Sequence, residues 1–203
     1  MLINLRFELR IQFILRKNMQ SNILKKTKLN AGEKVWVRPN SHIWSGAEQF
    51  FKAAEVLMDD TTVGMPNMVY PVITNYALCV ELALKAAVGR VVISPPTKDG
   101  LISAASIGSE AWGHDLEAVF NSLPEEIQVA IASDFHIWTG ENIHSLLKNC
   151  AHYFVHARYA HEKKAMHYDL SGIRTLAYGV LAAVHNYGLV QEGRPPLSPP
   201  AGA

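Results

Sequence analysis

Phe154-Val-His-Ala-Arg-Tyr159, followed by His161-Glu-Lys-Lys164, closes a helical pattern that begins near Glu141. Two aromatics, two histidines and an arginine sit at the end of an otherwise apolar helix. An arginine and a histidine held close together suit metal-free RNA cleavage, where one stabilises phosphate charge and the other moves a proton. The same residues suit a small helical bundle that must neutralise one buried carboxylate. Reading outward from this segment decides the fold and frames the choice between an enzyme and a binding domain.

The 203 residues, 49% of them apolar, suffice for one domain with a real core. A charged fraction of 18% is too low for a disordered chain. The formal charge is +1, so the average surface gives no reason to expect a polyanion. Charge is unevenly spread, however. Arg6, Arg10, Arg16, Lys17, Lys25, Lys26 and Lys28 stand against Glu8 alone, a local +6 that leaves −5 for the rest. This stretch reads as a basic amphipathic helix for a membrane surface or nucleic acid, or as a dispensable extension, with Met19 as an alternative start to Met1. Arg6, Glu8 and Arg10 interrupt its apolar run, which fits neither a signal peptide nor the roughly 18 apolar residues of a membrane span. Cys79 and Cys150 lie in apolar helical patterns outside any CxxC, which points to a reducing cytoplasm.

Helical periodicity dominates the middle of the chain. Ser41 reads as an N-cap for a helix to about Met58. A second, more apolar helix is expected over Tyr70–Val88, with Pro71 tolerated in its first turn and Gly89 as its stop. Val91 to Gly100 reads as a turn-rich loop that opens with a short extended piece. Further helices are expected over His114–Leu123, from Pro124 onward, over Glu141–Tyr159, and from a cap at Asp169 or Ser171. No alternating run is long enough to suggest a sheet. The expectation is an all-α, compact up-and-down bundle of about five helices over residues 39–191. A basic, possibly helical extension over 1–38 precedes it, and an extended, mobile Pro-rich tail over 192–203 follows.

Two sets of polar residues need explaining. Glu81 lies in the most apolar helix, where a carboxylate is costly unless paired. Lys85 stands at i+4, and Arg158 and His114 are the other candidate partners, the planar fork of Arg158 suiting an inter-helix pin. The histidines form the second set. His152 and His156 at i,i+4 have spacing that could hold a metal, which leaves open a small-molecule or metal-binding helical protein. The sequence lacks the adjacent glutamate of a zinc hydrolase and any third ligand fixed by spacing, so solvated histidines are the expectation and no metal or cofactor is assigned. GxSxG, P-loop and GxGxxG patterns are absent.

Taken in order, Ala53-Ala54, then Tyr76-Ala-Leu-Cys-Val-Glu-Leu-Ala-Leu-Lys85, then Gly113-His-Asp-Leu116, then Phe154-Val-His-Ala-Arg-Tyr159 resemble the HEPN-like helical domains. The likeness covers residues 41–190 and carries that group's E-x-x-x-K helix, H-D-L element and F-x-x-x-R-Y block. It implies a bundle of four to five helices, a homodimer, and an RNA-directed role in prokaryotic defence, stress or toxin–antitoxin systems. A protein partner such as a nucleotidyltransferase or antitoxin is implied with it. Active members carry an arginine and a histidine separated by four to six residues. Here Arg158 has two residues before His161 and eight before His167, and Arg174 has ten before His185. The expectation is therefore a cytoplasmic domain acting by association, with Glu81, Lys85, His114, Asp115, Arg158 and Tyr159 as a polar cluster. The alternative is a divergent metal-independent endoribonuclease using Arg158 with His161 or His167.

Overall fold

Why the long apolar runs form helices is visible in what they bury. The computed structural model describes residues 34–36, 39–59, 65–93, 105–160 and 167–200. Expectations for residues 1–30, for the alternative start and for His161 lie outside these residues. In chain order the elements are β1 (Lys34–Trp36), α1 (Ser41–Asp59), α2 (Met65–Ala87), β2 (Gly89–Ile93), β3 (Ala105–Ser109), α3 (Leu116–Asn121), α4 (Glu125–Thr139), α5 (Ile143–Cys150), α6 (Tyr153–Arg158) and α7 (Leu170–Gln191). Contacts divide the chain into two compact units, Met1–Val35 with Val92–Ser106, and Trp36–Val91 with Ile107–Ala203. All the described helices belong to the second unit, which is an all-α bundle.

The helix α7 is the axis of that bundle. From Gly172 to Leu189 it buries residues on nearly every side, and α1, α2, α4 and α5 all pack on it. A helix apolar all round must be enclosed by others. One close approach falls at Gly179, where a β-carbon would stand 2.5 Å from the ring of Phe135 on α4. A further layer comes from α1 and α6 lying on α2, whose Ile73, Tyr76, Val80 and Leu84 are fully buried.

Four features depart from the sequence-based expectation. The N-cap of α1 is Asn40, not Ser41: its Oδ1 accepts from the N–H of His42 and Ile43, at 3.1 and 3.2 Å. Asn40 also donates its own N–H to Ala86 O at the end of α2, at 2.8 Å, so one buried residue starts one helix and anchors the end of another. Second, α2 begins at Met65, which leaves Pro71 inside the helix rather than in its first turn. Proline lacks the N–H that the helix would use and crowds the preceding turn. Third, the helix expected over Glu141–Tyr159 is two helices. The carbonyl of Ala151 accepts from Leu116 N at 3.0 Å, and His152 takes a non-helical backbone (ψ 9°) between them. Fourth, the small sheet of order β1-β2-β3 was not expected. The β-branched run Val91-Val-Ile93 after Gly89 suits a pleated strand, but three to five residues per strand are too few to show alternation.

The last helix begins at one of the two expected caps, Asp169, whose Oδ1 accepts from Gly172 N at 2.8 Å. Among the described residues no helix is long and apolar enough to cross a membrane. Cys79 and Cys150 are both buried, free thiols, and burial pushes Cys79 well up and Cys150 up to about 12.

Candidate functional site

The site grows from Glu81, which α2 carries in its last turns and leaves only 3% exposed. A carboxylate so placed needs partners for both oxygens. Oε1 accepts from Lys85 Nζ at 2.7 Å, one helical turn further on. Oε2 meets His114 Nδ1 at 2.9 Å. Because a carboxylate has no proton to give, Nδ1 carries the hydrogen and Nε2 is left as the second face of the half-exposed ring. Lys85 also donates to the carbonyl of Gly113, at 2.9 Å. The loop ahead of α3 is thereby tied to α2 at two successive residues. Gly113 makes this possible with a φ of 96°, a left-handed backbone that side-chain-bearing residues rarely adopt.

From His114 a chain of ring contacts leads outward through the buried Phe154. Its imidazole lies 4.9 Å from the ring of Phe154, centroid to centroid. The guanidinium of Arg158 sits 5.3 Å from the Phe154 centroid and 5.3 Å from that of Tyr159. The expected pin between Glu81 and Arg158 is thus not made. Lys85 and His114 already hold both carboxylate oxygens, while Arg158 is exposed and lies over two aromatic rings. The reason is the break after Cys150. It starts α6 afresh at Tyr153, and its last turn carries Arg158 to the surface.

Asp115 performs a separate local task beside this cluster. Its Oδ1 accepts from Ala118 N at 2.8 Å and so caps α3, while Oδ2 stands 3.3 Å from His152 Nδ1. The rings of His152 and His156 are 5.5 Å apart. Among the described residues no group of three or more His, Cys, Asp or Glu is arranged to hold a metal ion. His167 is exposed in the segment leading to α7.

Trp112 is the residue that sequence reasoning missed. It is 79% exposed, one residue before the glycine carbonyl that Lys85 holds. A large aromatic beside a glycine in a loop, just ahead of His114-Asp-Leu116, was the available signal. Trp112 and Tyr159, itself 39% exposed, are thus two solvent-exposed aromatic side chains on the segments that carry His114 and Arg158. Chemically these segments offer a guanidinium, a carboxylate-oriented imidazole and exposed aromatic rings. Such a set can take up an anion and stack a planar group.

A second polar cluster, unforeseen from sequence, joins three helices. Glu55 on α1 receives both Nε and Nη2 of Arg174 on α7, each at 2.7 Å, and a short hydrogen bond from the Tyr76 hydroxyl on α2. Burial alone would raise the Glu55 pKa. The hydrogen bonds from Arg174 and Tyr76, with the Arg174 charge, outweigh it and hold the carboxyl below its ordinary value. Comparison with protein-family models, curated proteins and solved structures finds no match.

Proposed function

We propose that the chain is a HEPN-like helical domain that acts by association and that single-stranded RNA is its partner. The RNA is held on the face of Trp112, His114, Arg158 and Tyr159. One observation carries the reading: Arg158 is not consumed by Glu81 but lies exposed over Phe154 and Tyr159. Exposed aromatics give stacking surfaces for unpaired bases, and a guanidinium gives a phosphate partner. Glu81 and Lys85 serve this face by fixing the loop that carries Trp112 and His114. The family likeness in motif order supports a setting in prokaryotic defence, stress or toxin–antitoxin systems. It supports a cytoplasmic homodimer in the same way, alongside a nucleotidyltransferase or antitoxin.

Fluorescence anisotropy with a labelled single-stranded RNA of about a dozen nucleotides tests this. Trp112→Ala should weaken binding about 5- to 100-fold, the range expected for one lost base–aromatic stack. Arg158→Ala should weaken it and reduce its dependence on salt. Binding that is absent at low salt, or unchanged in both variants, removes the reading. In EDTA the RNA should stay intact. Cleavage that disappears in Arg158→Ala would instead establish the endoribonuclease alternative.

A further inference from the structure

Beyond α7 the chain turns back and runs extended. Gly193 takes a φ of 70°, and the N–H of Arg194 reaches Leu189 O at 2.8 Å, a left-handed glycine cap that ends the helix. Residues 194–200 then form neither helix, strand nor turn. Their sequence, Arg194-Pro-Pro-Leu-Ser-Pro-Pro200, accounts for this. Each proline has a fixed φ, and each residue ahead of a proline is kept out of the helical region. Leu197 alone in this segment is neither a proline nor followed by one. It is the one free joint of the segment, and it is the residue that α7 holds. Asn186, 2% exposed, donates from Nδ2 to Leu197 O at 3.0 Å and accepts at Oδ1 from Leu197 N at 2.9 Å. The same side chain is hydrogen-bonded to Asp134 on α4, which fixes the amide in turn.

What is held is the backbone, and what is left outside is the side chains. Leu197 is 42% exposed. Pro195, Pro196, Ser198 and Pro200 are exposed as well, and Pro199 is partly so. A segment docked only to complete the core would turn its leucine inward. Here a buried amide fixes an extended strap whose apolar groups face solvent. In a polyproline II helix, with three residues per turn, the pairs Pro195-Pro196 and Ser198-Pro199 recur along one edge. That is the P-x-x-P spacing which aromatic-lined grooves of proline-recognising domains accept. Arg194 at the head of the strap is paired with Glu192 at 2.9 Å, so ring contacts rather than charge would dominate recognition. A strap already rigid loses little entropy when it is bound.

We propose that residues 194–200, held in place by Asn186, are a preorganised ligand for a partner protein whose aromatic-lined groove reads polyproline II. The full-length chain is titrated into isotope-labelled SH3, WW and EVH1 domains, and binding is followed by chemical-shift changes at their groove aromatics. At least one of the three should bind. The double variant Pro196→Ala/Pro199→Ala, which alters only the strap, should weaken that binding about tenfold or more. A synthetic peptide of residues 194–200 has the same side chains without the hold from α7. It should bind about 5- to 30-fold more weakly than the chain, the penalty for ordering one backbone joint. Asn186→Ala, shown to be folded by its thermal melt, should fall to the level of the peptide. If that variant does not fold, the comparison of peptide with chain gives the same reading. Three results overturn the proposal: no binding by any of the three domains, binding unchanged in the double proline variant, or equal binding of peptide and chain.

Discussion

At the scale of single residues, Glu81 shows how a buried charge selects its partners. Its neighbours on α2 are apolar, so its carboxylate must be satisfied from its own helix and from one loop, and Lys85 and His114 do so. Sequence identified the carboxylate and these partners among its candidates, because a polar residue in an apolar stripe demands an explanation. It also offered Arg158 and favoured it for its planar fork, a ranking that the structure reverses. The choice depends on where α6 places residue 158, which depends in turn on the break at Ala151. A double-mutant cycle measures this directly. Glu81→Gln with Lys85→Met should be non-additive by about 0.5 kcal/mol or more, as for residues in contact. Glu81→Gln with Arg158→Ala should be additive within about 0.5 kcal/mol in urea unfolding. Strong coupling in the second pair would show that Arg158 reaches the carboxylate in solution.

At the scale of elements, helix contacts depend on small residues whose role is invisible in one dimension. The stripe of α7 was legible from its apolar spacing, as were Asp169 as one of two candidate caps and the acidic first turn of α4. The close approach at Gly179 was not, because a glycine in a helix reads only as a weak position until its neighbour is known. That neighbour is Phe135, fully buried on α4. In Gly179→Ala the new methyl group would stand 2.5 Å from the ring. Overpacking of this kind costs about 1–3 kcal/mol, against about 1 kcal/mol gained in helix propensity. A net loss is expected, seen as a lower Tm, with partial recovery on adding Phe135→Leu. A Tm equal to or above wild type would show that α4 and α7 can separate.

At the scale of the whole molecule, two groups outside the Glu81 cluster link stability to acid, His185 and Glu55. His185 on α7 packs against Trp44 of α1, ring centroids 5.4 Å apart. Burial, assisted by the Arg194 charge, lowers its pKa to about 4. The unfolded chain takes up this proton near the ordinary histidine value of about 6.5. The folded state therefore loses stability as pH falls from there toward 4, by on the order of 3 kcal/mol if the whole shift is expressed. Glu55 acts lower on the scale. Its lowered pKa gives stability present above the ordinary carboxylate range and lost as pH falls through its folded value. Urea midpoints between pH 7.5 and 3.5 should accordingly fall in two stages. His185→Gln should flatten the upper stage and leave the lower one. An upper stage that survives His185→Gln assigns it to another group.

The sequence by itself determined the all-α class, the course of the main helices and the need for a partner at Glu81. Those properties follow from periodicity and from the cost of burying charge, which act within one helix or its immediate surroundings. Tertiary structure alone decided that Lys85 and His114, not Arg158, hold the carboxylate. It also decided that Asn40 rather than Ser41 caps α1, and that Asn186 holds the chain's returning segment. Each of these depends on which distant residue arrives with a hydrogen-bonding group at the right distance and angle. Phe154–Tyr159 shows both sides: its apolar spacing foretold a helix, and only packing turned Arg158 outward over the rings.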